Sequence, residues 1–141
     1  MTAPSQVLHV DDDADIRFLV ELTLDRVPDL VLRSCASGAE ALEVALADPP
    51  DLALVDVMMP GMDGVTLAAA FRAAERLREV PVVFVTAKAY PDEVARLWSS
   101  GAADVLVKPF DLGELERTIL EVLAHPDQRG IRRGAPAPPG A

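Results

Sequence analysis

The chain has 141 residues, half of them hydrophobic, six aromatics and a formal net charge of −10. That length suits one domain with a single sizeable core. The charge argues against direct binding to nucleic acid or an anionic membrane, both of which reward basic surfaces, and six aromatics make a poor stacking platform for single strands. The single cysteine, Cys35, has no internal partner, so a reducing compartment is the simplest reading. No apolar run approaches the ~20 residues a spanning helix needs, and the polar start of the chain does not read as a signal peptide. The expectation is a soluble, cytoplasmic protein.

Gln6–Val10 reads as a strand that stops at three acids, Asp11 to Asp13. Ile16, Leu19, Val20 and Leu24 then recur at helical spacing, until Pro28 and Asp29 break the pattern. Leu30–Cys35 is a second strand. Ser37 with Glu40 three residues on is a capping box opening a helix over Gly38–Leu46, which Pro49 and Pro50 end. Leu52–Val57 is apolar throughout except for Asp56, as suits a strand buried on both faces of a parallel sheet. A loop at Pro60–Gly64 leads to a helical pattern over Val65–Leu77. Asp63 and Gly64 read as turn residues, with Gly61 or Gly64 supplying a positive φ. Pro81–Val85 is a fourth strand and Pro91–Ser99 a fourth helix, Pro91 suiting a first helical position. Val105–Val107 and Leu112–Leu123 complete the series.

Strand and helix alternate five times, which predicts an α/β fold: a parallel sheet with right-handed crossovers and helices on both faces. Past residue 126 the composition turns to Gly, Pro, Ala and Arg. Arg129, Arg132 and Arg133 against Asp127 give this segment +2, leaving −12 on the rest. The expected organisation is a domain over residues 1–126 and a disordered tail over 127–141.

In an open parallel sheet, ligands bind beyond the carboxyl ends of the strands, where strand order reverses. The first strand ends in Asp11 and Asp12, the third in Asp56, the fourth in Thr86 and the fifth in Lys108. Three carboxylates gathered there repel one another, and burying them unpaired costs several kcal/mol or forces protonation. A hard divalent cation resolves the conflict, and Mg²⁺ favours carboxylates, a carbonyl and waters. With Lys108 adding a second positive charge, the set can hold a phosphoryl group while a carboxylate attacks it. Thr86 offers a hydroxyl donor.

These blocks resemble one family. Val10-Asp11-Asp12, Leu54-Val55-Asp56 followed by Met59-Pro60-Gly61-Met62-Asp63-Gly64, Val85-Thr86-Ala87 and Val107-Lys108-Pro109-Phe110 are similar, in order and rough spacing, to the four motif blocks of response-regulator receiver domains. The match covers about residues 5–124, and the four blocks together are very specific. The resemblance implies a flavodoxin-like sheet of strand order 2-1-3-4-5. Its implied roles are Asp56 as phosphoacceptor, Asp11 and Asp12 as the acid pair with Asp12 the more direct metal ligand, and the Met58 backbone carbonyl as a third protein ligand. Thr86 matches the switch hydroxyl, the Ala87 amide a donor to the phosphoryl group, Lys108 its pairing amine, and Lys108-Pro109 the family's cis bond. The implied cofactor is Mg²⁺ and the implied donor a phosphohistidine on a sensor kinase or a histidine phosphotransferase, with slow hydrolysis after transfer. The kinase is expected near the first helix and the loop after the fifth strand. A downstream protein is expected on the face made by helix four, strand five and helix five.

Each residue also has a plainer reading. Asp-rich turns after strands often only cap helices, and Asp13 is expected to do so. Thr86 alone is a β-branched strand residue and Lys108 alone a surface lysine; their place in the set reverses both. His9 reads as a satisfied core side chain, Cys35 as a small buried hydrophobe, and Val94, Leu97 and Trp98 as packing. One departure stands out: the family's aromatic three residues before the lysine is Val105 here, so its usual coupling to the threonine cannot operate. Met58 and Lys88 occupy positions that tune dephosphorylation in the family. The leading expectation is a stand-alone phosphorylation switch that is not an ordinary enzyme. The alternatives are a constitutive scaffold or pseudo-receiver, a piece of a longer DNA-binding regulator, and a dehalogenase-type hydrolase. The last lacks its second Asp, since Met58 stands two residues after Asp56.

Overall fold

A computed structural model describes residues 3–88 and 90–126. The chain alternates β1 (Ser5–Val10), α1 (Ala14–Asp25), β2 (Leu30–Cys35), α2 (Gly38–Ala47), β3 (Leu52–Asp56), α3 (Gly64–Ala73), β4 (Val82–Thr86), α4 (Pro91–Ser99), β5 (Asp104–Val107) and α5 (Leu112–Ala124). All strand pairs are parallel, in the order β2-β1-β3-β4-β5. This is the doubly wound order that the resemblance implies. The tail expected to be disordered, 127–141, lies outside the described residues.

Side chains along each strand alternate between two cores. Leu8, Val10, Ala53, Val55, Val82 and Phe84 pack with Leu67, Phe71 and Leu97 on the side of α2, α3 and α4. Val7, Leu52, Leu54, Val83, Val85 and Leu106 pack with Val20, Leu24, Leu115 and Ile119 of α1 and α5. Every residue of β3 and β4 is buried, which explains why both read as apolar runs up to their last residues, Asp56 and Thr86. Leu97 is buried and Trp98 packs against the first core, as expected of the α4 stripe.

The helix starts follow from short polar side chains at their N-caps. Asp13 accepts from the Asp15 amide at 2.9 Å and Ser37 from the Glu40 amide at 3.2 Å, both as expected. Asp63 is more than a turn residue: its carboxylate caps α3 through the Thr66 amide at 2.8 Å. Asp111 caps α5 through the Glu114 amide at 2.6 Å.

One expectation needs correction, and one is narrowed. The third helix stops at Ala73, not Leu77, because Ala74 turns extended with φ −94° and ψ 124°. Leu77 stays fully buried, carried by successive turns in which its amide meets the Ala74 carbonyl and its carbonyl the Val80 amide. The apolar spacing was therefore a core signal beyond the helix end. The positive φ belongs to Gly61, at +76°, and not to Gly64. Gly64 is needed for a different reason: a Cβ there would stand 2.4 Å from the Asp56 carbonyl oxygen and 2.9 Å from Val57 Cα. Its amide donates to the Val57 carbonyl at 3.0 Å, so α3 begins directly against the end of β3.

Candidate functional site

Parallel strands bring their carboxyl ends to one edge, and the register fixes which ends adjoin. Val10 pairs with Val55, so Asp11 and Asp56 each follow one residue later on neighbouring strands. Asp56 pairs with Val85, and Thr86 with Val107. The chain then continues to Lys108, whose amide donates to the Thr86 carbonyl at 2.8 Å. The sheet thus lines up Asp11, Asp56, Thr86 and Lys108 from segments that are dozens of residues apart.

One carboxylate oxygen from each of Asp11, Asp12 and Asp56 lies within 4.8 Å of the others. Asp11 and Asp56 are buried, while Asp12 is exposed at the mouth. Lys108 Nζ sits 3.3 Å from Asp56 Oδ1 and 3.5 Å from Asp11 Oδ2. Asp11 is held from both ends: Oδ1 accepts from the Asp13 amide at 2.9 Å, and its carbonyl accepts from Arg17 Nη1 at 2.7 Å. Sequence reasoning assigned Arg17 no part, and its helical position alone gives no sign of one. Asp11 Oδ2 is buried and accepts no hydrogen bond among the described residues, facing only the Lys108 ammonium of the ion pair.

The charges are unbalanced. Burial, reinforced by the neighbouring Asp11, pushes the Asp56 carboxyl up to about 6, and Lys108 only partly offsets the rise. Burial also raises Asp11, against the pull of the Asp13 amide and Lys108. Burial works to lower the Lys108 ammonium, but Asp11 and Asp56 outweigh it and hold it above its ordinary value. One ammonium therefore does not neutralise the pocket. An all-oxygen donor set with an undonated, buried carboxylate oxygen fits a hard divalent cation such as Mg²⁺.

Thr86 is buried, and its Oγ1 accepts from the Lys88 amide at 3.1 Å. Ala87 follows in the exposed loop, and Lys88 Nζ approaches Glu93 at the start of α4 to 3.9 Å. Met58 lies two residues past Asp56, and its side chain is exposed. The Lys108-Pro109 bond is cis. Val105 pairs with Phe84 and is half-buried beside the α4 core.

His9 is buried as expected but not satisfied, since its Nδ1 has no partner among the described residues. Burial, with the charges of Lys108 and Arg17, lowers its pKa to about 4. Cys35 is buried at the end of β2, and burial pushes its thiol up to about 11, which suits an inert hydrophobe. No helix among the described residues is long and apolar enough to cross a membrane.

Comparison with known proteins places this geometry. The chain is 37% identical over 123 residues to the transcriptional regulatory protein PrrA of Mycobacterium tuberculosis, covering 87% of this chain and 51% of PrrA. It is 38% identical over 126 residues to the transcriptional regulatory protein CseB of Streptomyces coelicolor, again covering 87% and 51%. It therefore spans about half the length of these curated relatives. Its fold superposes on the chemotaxis protein CheY4 of Vibrio cholerae with a TM-score of 0.79 at 32% identity, covering 85% of this chain and 99% of that one. A putative response regulator from Chloroflexus aurantiacus gives 0.80 at 34%, covering 86% and 99%. The family described as the response regulator receiver domain matches residues 7–120, and the chain belongs to that family of two-component systems.

Proposed function

We propose that this domain is a phosphorylation-dependent switch that accepts a phosphoryl group on Asp56 from a phosphohistidine of a sensor kinase or histidine phosphotransferase. The observation that carries the reading is the three-carboxylate cluster with one lysine: Asp11, Asp12 and Asp56 within 4.8 Å, and Lys108 within 3.5 Å of two of them. Asp11, Asp12, Asp56 and the Met58 carbonyl would hold Mg²⁺, which would supply the charge that the lysine alone does not.

An Asp56 carboxylate oxygen attacks phosphorus while the phosphorus–nitrogen bond of the donor breaks, and the imidazole leaves with that electron pair. Lys108 moves its pairing from the lost carboxylate charge to a phosphoryl oxygen. Thr86 turns its hydroxyl from accepting the Lys88 amide to donating to a second phosphoryl oxygen, and the Ala87 amide donates to the phosphoryl group as well. Water later attacks phosphorus, the bond to the aspartyl oxygen breaks, and inorganic phosphate leaves with the carboxylate restored. The domain takes part in this chemistry on itself and turns over no separate substrate.

The donor's docking face is assigned to α1 and the loop after β5. A cavity of about 350 Å³ opens there, between Leu19 of α1 and Pro109 and Phe110 beside Lys108. The output is assigned to the face of α4, β5 and α5, with Val105 replacing the family's aromatic relay. The −12 carried by residues 1–126 supports protein partners, not nucleic acid or an anionic membrane, for the domain itself. A cytoplasmic setting accords with this role.

Intact mass after incubation with Mg²⁺ and acetyl phosphate tests the reading. One added phosphoryl group is expected, absent in Asp56→Asn and prevented by EDTA. An unchanged mass in the native protein, or equal labelling of Asp56→Asn, would overturn it.

A further inference from the structure

Arg17 stands where a cation is electrostatically out of place. It is the fourth residue of α1, and the N-terminus of a helix carries positive partial charge. It is also half-buried, so it is not simply a solvated surface charge. Helical side chains lean toward the start of their helix, which aims the guanidinium back at the turn between β1 and α1. There Nη1 donates to the Asp11 carbonyl at 2.7 Å. The backbone amide of the same residue donates to the Asp13 carbonyl at 3.1 Å. Arg17 thus holds the carbonyls on both sides of Asp12.

The two acids of this turn differ in how firmly they are fixed. Asp11 is tied at every polar atom but one. Its amide donates to the Cys35 carbonyl at 3.1 Å, its Oδ1 accepts from the Asp13 amide at 2.9 Å, and its carbonyl takes Arg17. Only Oδ2 is left to face the Lys108 ammonium. The paired residues of β1 and β2 end at Val10 and Cys35, so Arg17 holds the chain just past the end of the ladder. Asp12 is different. It is exposed at the mouth, and among the described residues no hydrogen bond reaches its carboxylate. Its place beside Asp11 and Asp56 therefore depends on the backbone that carries it. Mg²⁺ tolerates little drift in that place, since it demands near-ideal octahedral geometry at about 2.0–2.1 Å.

We propose that Arg17 is a positioning residue of the cation site, clamping the turn at the Asp11 and Asp13 carbonyls so that Asp12 is presented beside Asp11 and Asp56. This rests on the reading of the three acids as a Mg²⁺ site. Arg17 acts there as a hydrogen-bond donor and not through its charge, which repels a cation. The two roles have opposite signs: losing a repelling charge tightens Mg²⁺, and losing the clamp weakens it.

Mg²⁺ alone, titrated into the isotope-enriched full chain and followed by amide shifts, reads that sign with no phosphoryl donor present. Arg17→Met is expected to bind about tenfold more weakly, the low end of the loss seen when a group that orients a metal ligand is removed. Arg17→Lys, which keeps the charge and a donor, is expected to recover part of that loss. In EDTA, the Asp12 and Asp13 amides of Arg17→Met should gain fast motion in nitrogen relaxation, while those of α5 keep their native values and show that the variant is folded. Equal or tighter Mg²⁺ binding by Arg17→Met overturns the proposal and leaves the cation site standing. Asp12 and Asp13 amides as rigid in Arg17→Met as in the native chain overturn it too. A native chain that does not respond to Mg²⁺ overturns the reading of the acid cluster and this proposal with it, and that result is seen before any substitution is made.

Discussion

The two ends of the same strands are built to opposite rules. Along β3, Leu52 to Val55 are sealed between two helix layers, and each buried side chain adds to stability. One residue later the same strand delivers Asp56, also buried but carrying a charge that desolvation disfavours. The lower part of the sheet is therefore a scaffold, and its upper edge is a place where stability is given up to hold reactive groups. Because backbone pairing continues through both, the scaffold fixes the spacing of carboxylates that would otherwise move apart.

The comparison breaks most severely if the interior is cut. Phe71→Ala, at a fully buried site under β3 and β4, is expected to cost about 3–5 kcal/mol. Urea unfolding checks the loss, and the surviving folded fraction should still take up phosphoryl from acetyl phosphate. If stability hardly changed, the interior would not be the scaffold.

Relieving the edge should do the reverse. Asp56 holds its proton more tightly folded than unfolded, so its favourable contribution is complete below its ordinary value of 3.8 and is lost as pH rises through about 6. In EDTA, Asp56→Asn should therefore be more stable than the native chain at neutral pH, by up to about 3 kcal/mol, with the gap closing toward pH 4. Mg²⁺ should narrow it by stabilising the native protein alone. Thermal melts across pH, with and without the metal, measure both. A gap that widened on acidification would contradict the buried, underpaired carboxylate.

The junction between the two regions is sharpened by Gly64→Ala. The added Cβ collides with backbone at the end of β3, so a loss of about 1–3 kcal/mol is expected together with slower phosphoryl uptake, because the Asp56 carbonyl must shift. Chemical unfolding and a mass time course on the same sample separate the two effects. The smallest change belongs to neither region: Asp111→Ala removes the α5 cap and should cost about 1 kcal/mol with uptake unaltered.

Most of this was legible in the sequence, for reasons that particular residues make plain. The β3 run had one charge in it, and no packing argument could accommodate Asp56 there. The caps at Asp13 and Ser37 read directly because their partners lie two or three residues away. Asp63 and Asp111 follow the same rule, and their spacing to Thr66 and Glu114 could have revealed them. Other features gave no local sign. Arg17 reaches the Asp11 carbonyl across the first turn of α1, the His9 nitrogen is left without a partner, and Gly64 is required by a neighbour and not by its own φ.

By itself the sequence determined the alternation of elements and the placing of a polar or charged residue directly after four of the apolar strands, because periodicity and turn chemistry act over a few residues. Which of those ends stand side by side was decided only by tertiary structure. Strand order and register set the Asp11–Asp56–Lys108 distances, and they arise from two cores closing on both faces of the sheet at once. Desolvation follows the same closure: a carboxyl is raised by what surrounds it in space, and that surrounding is assembled from every part of the chain.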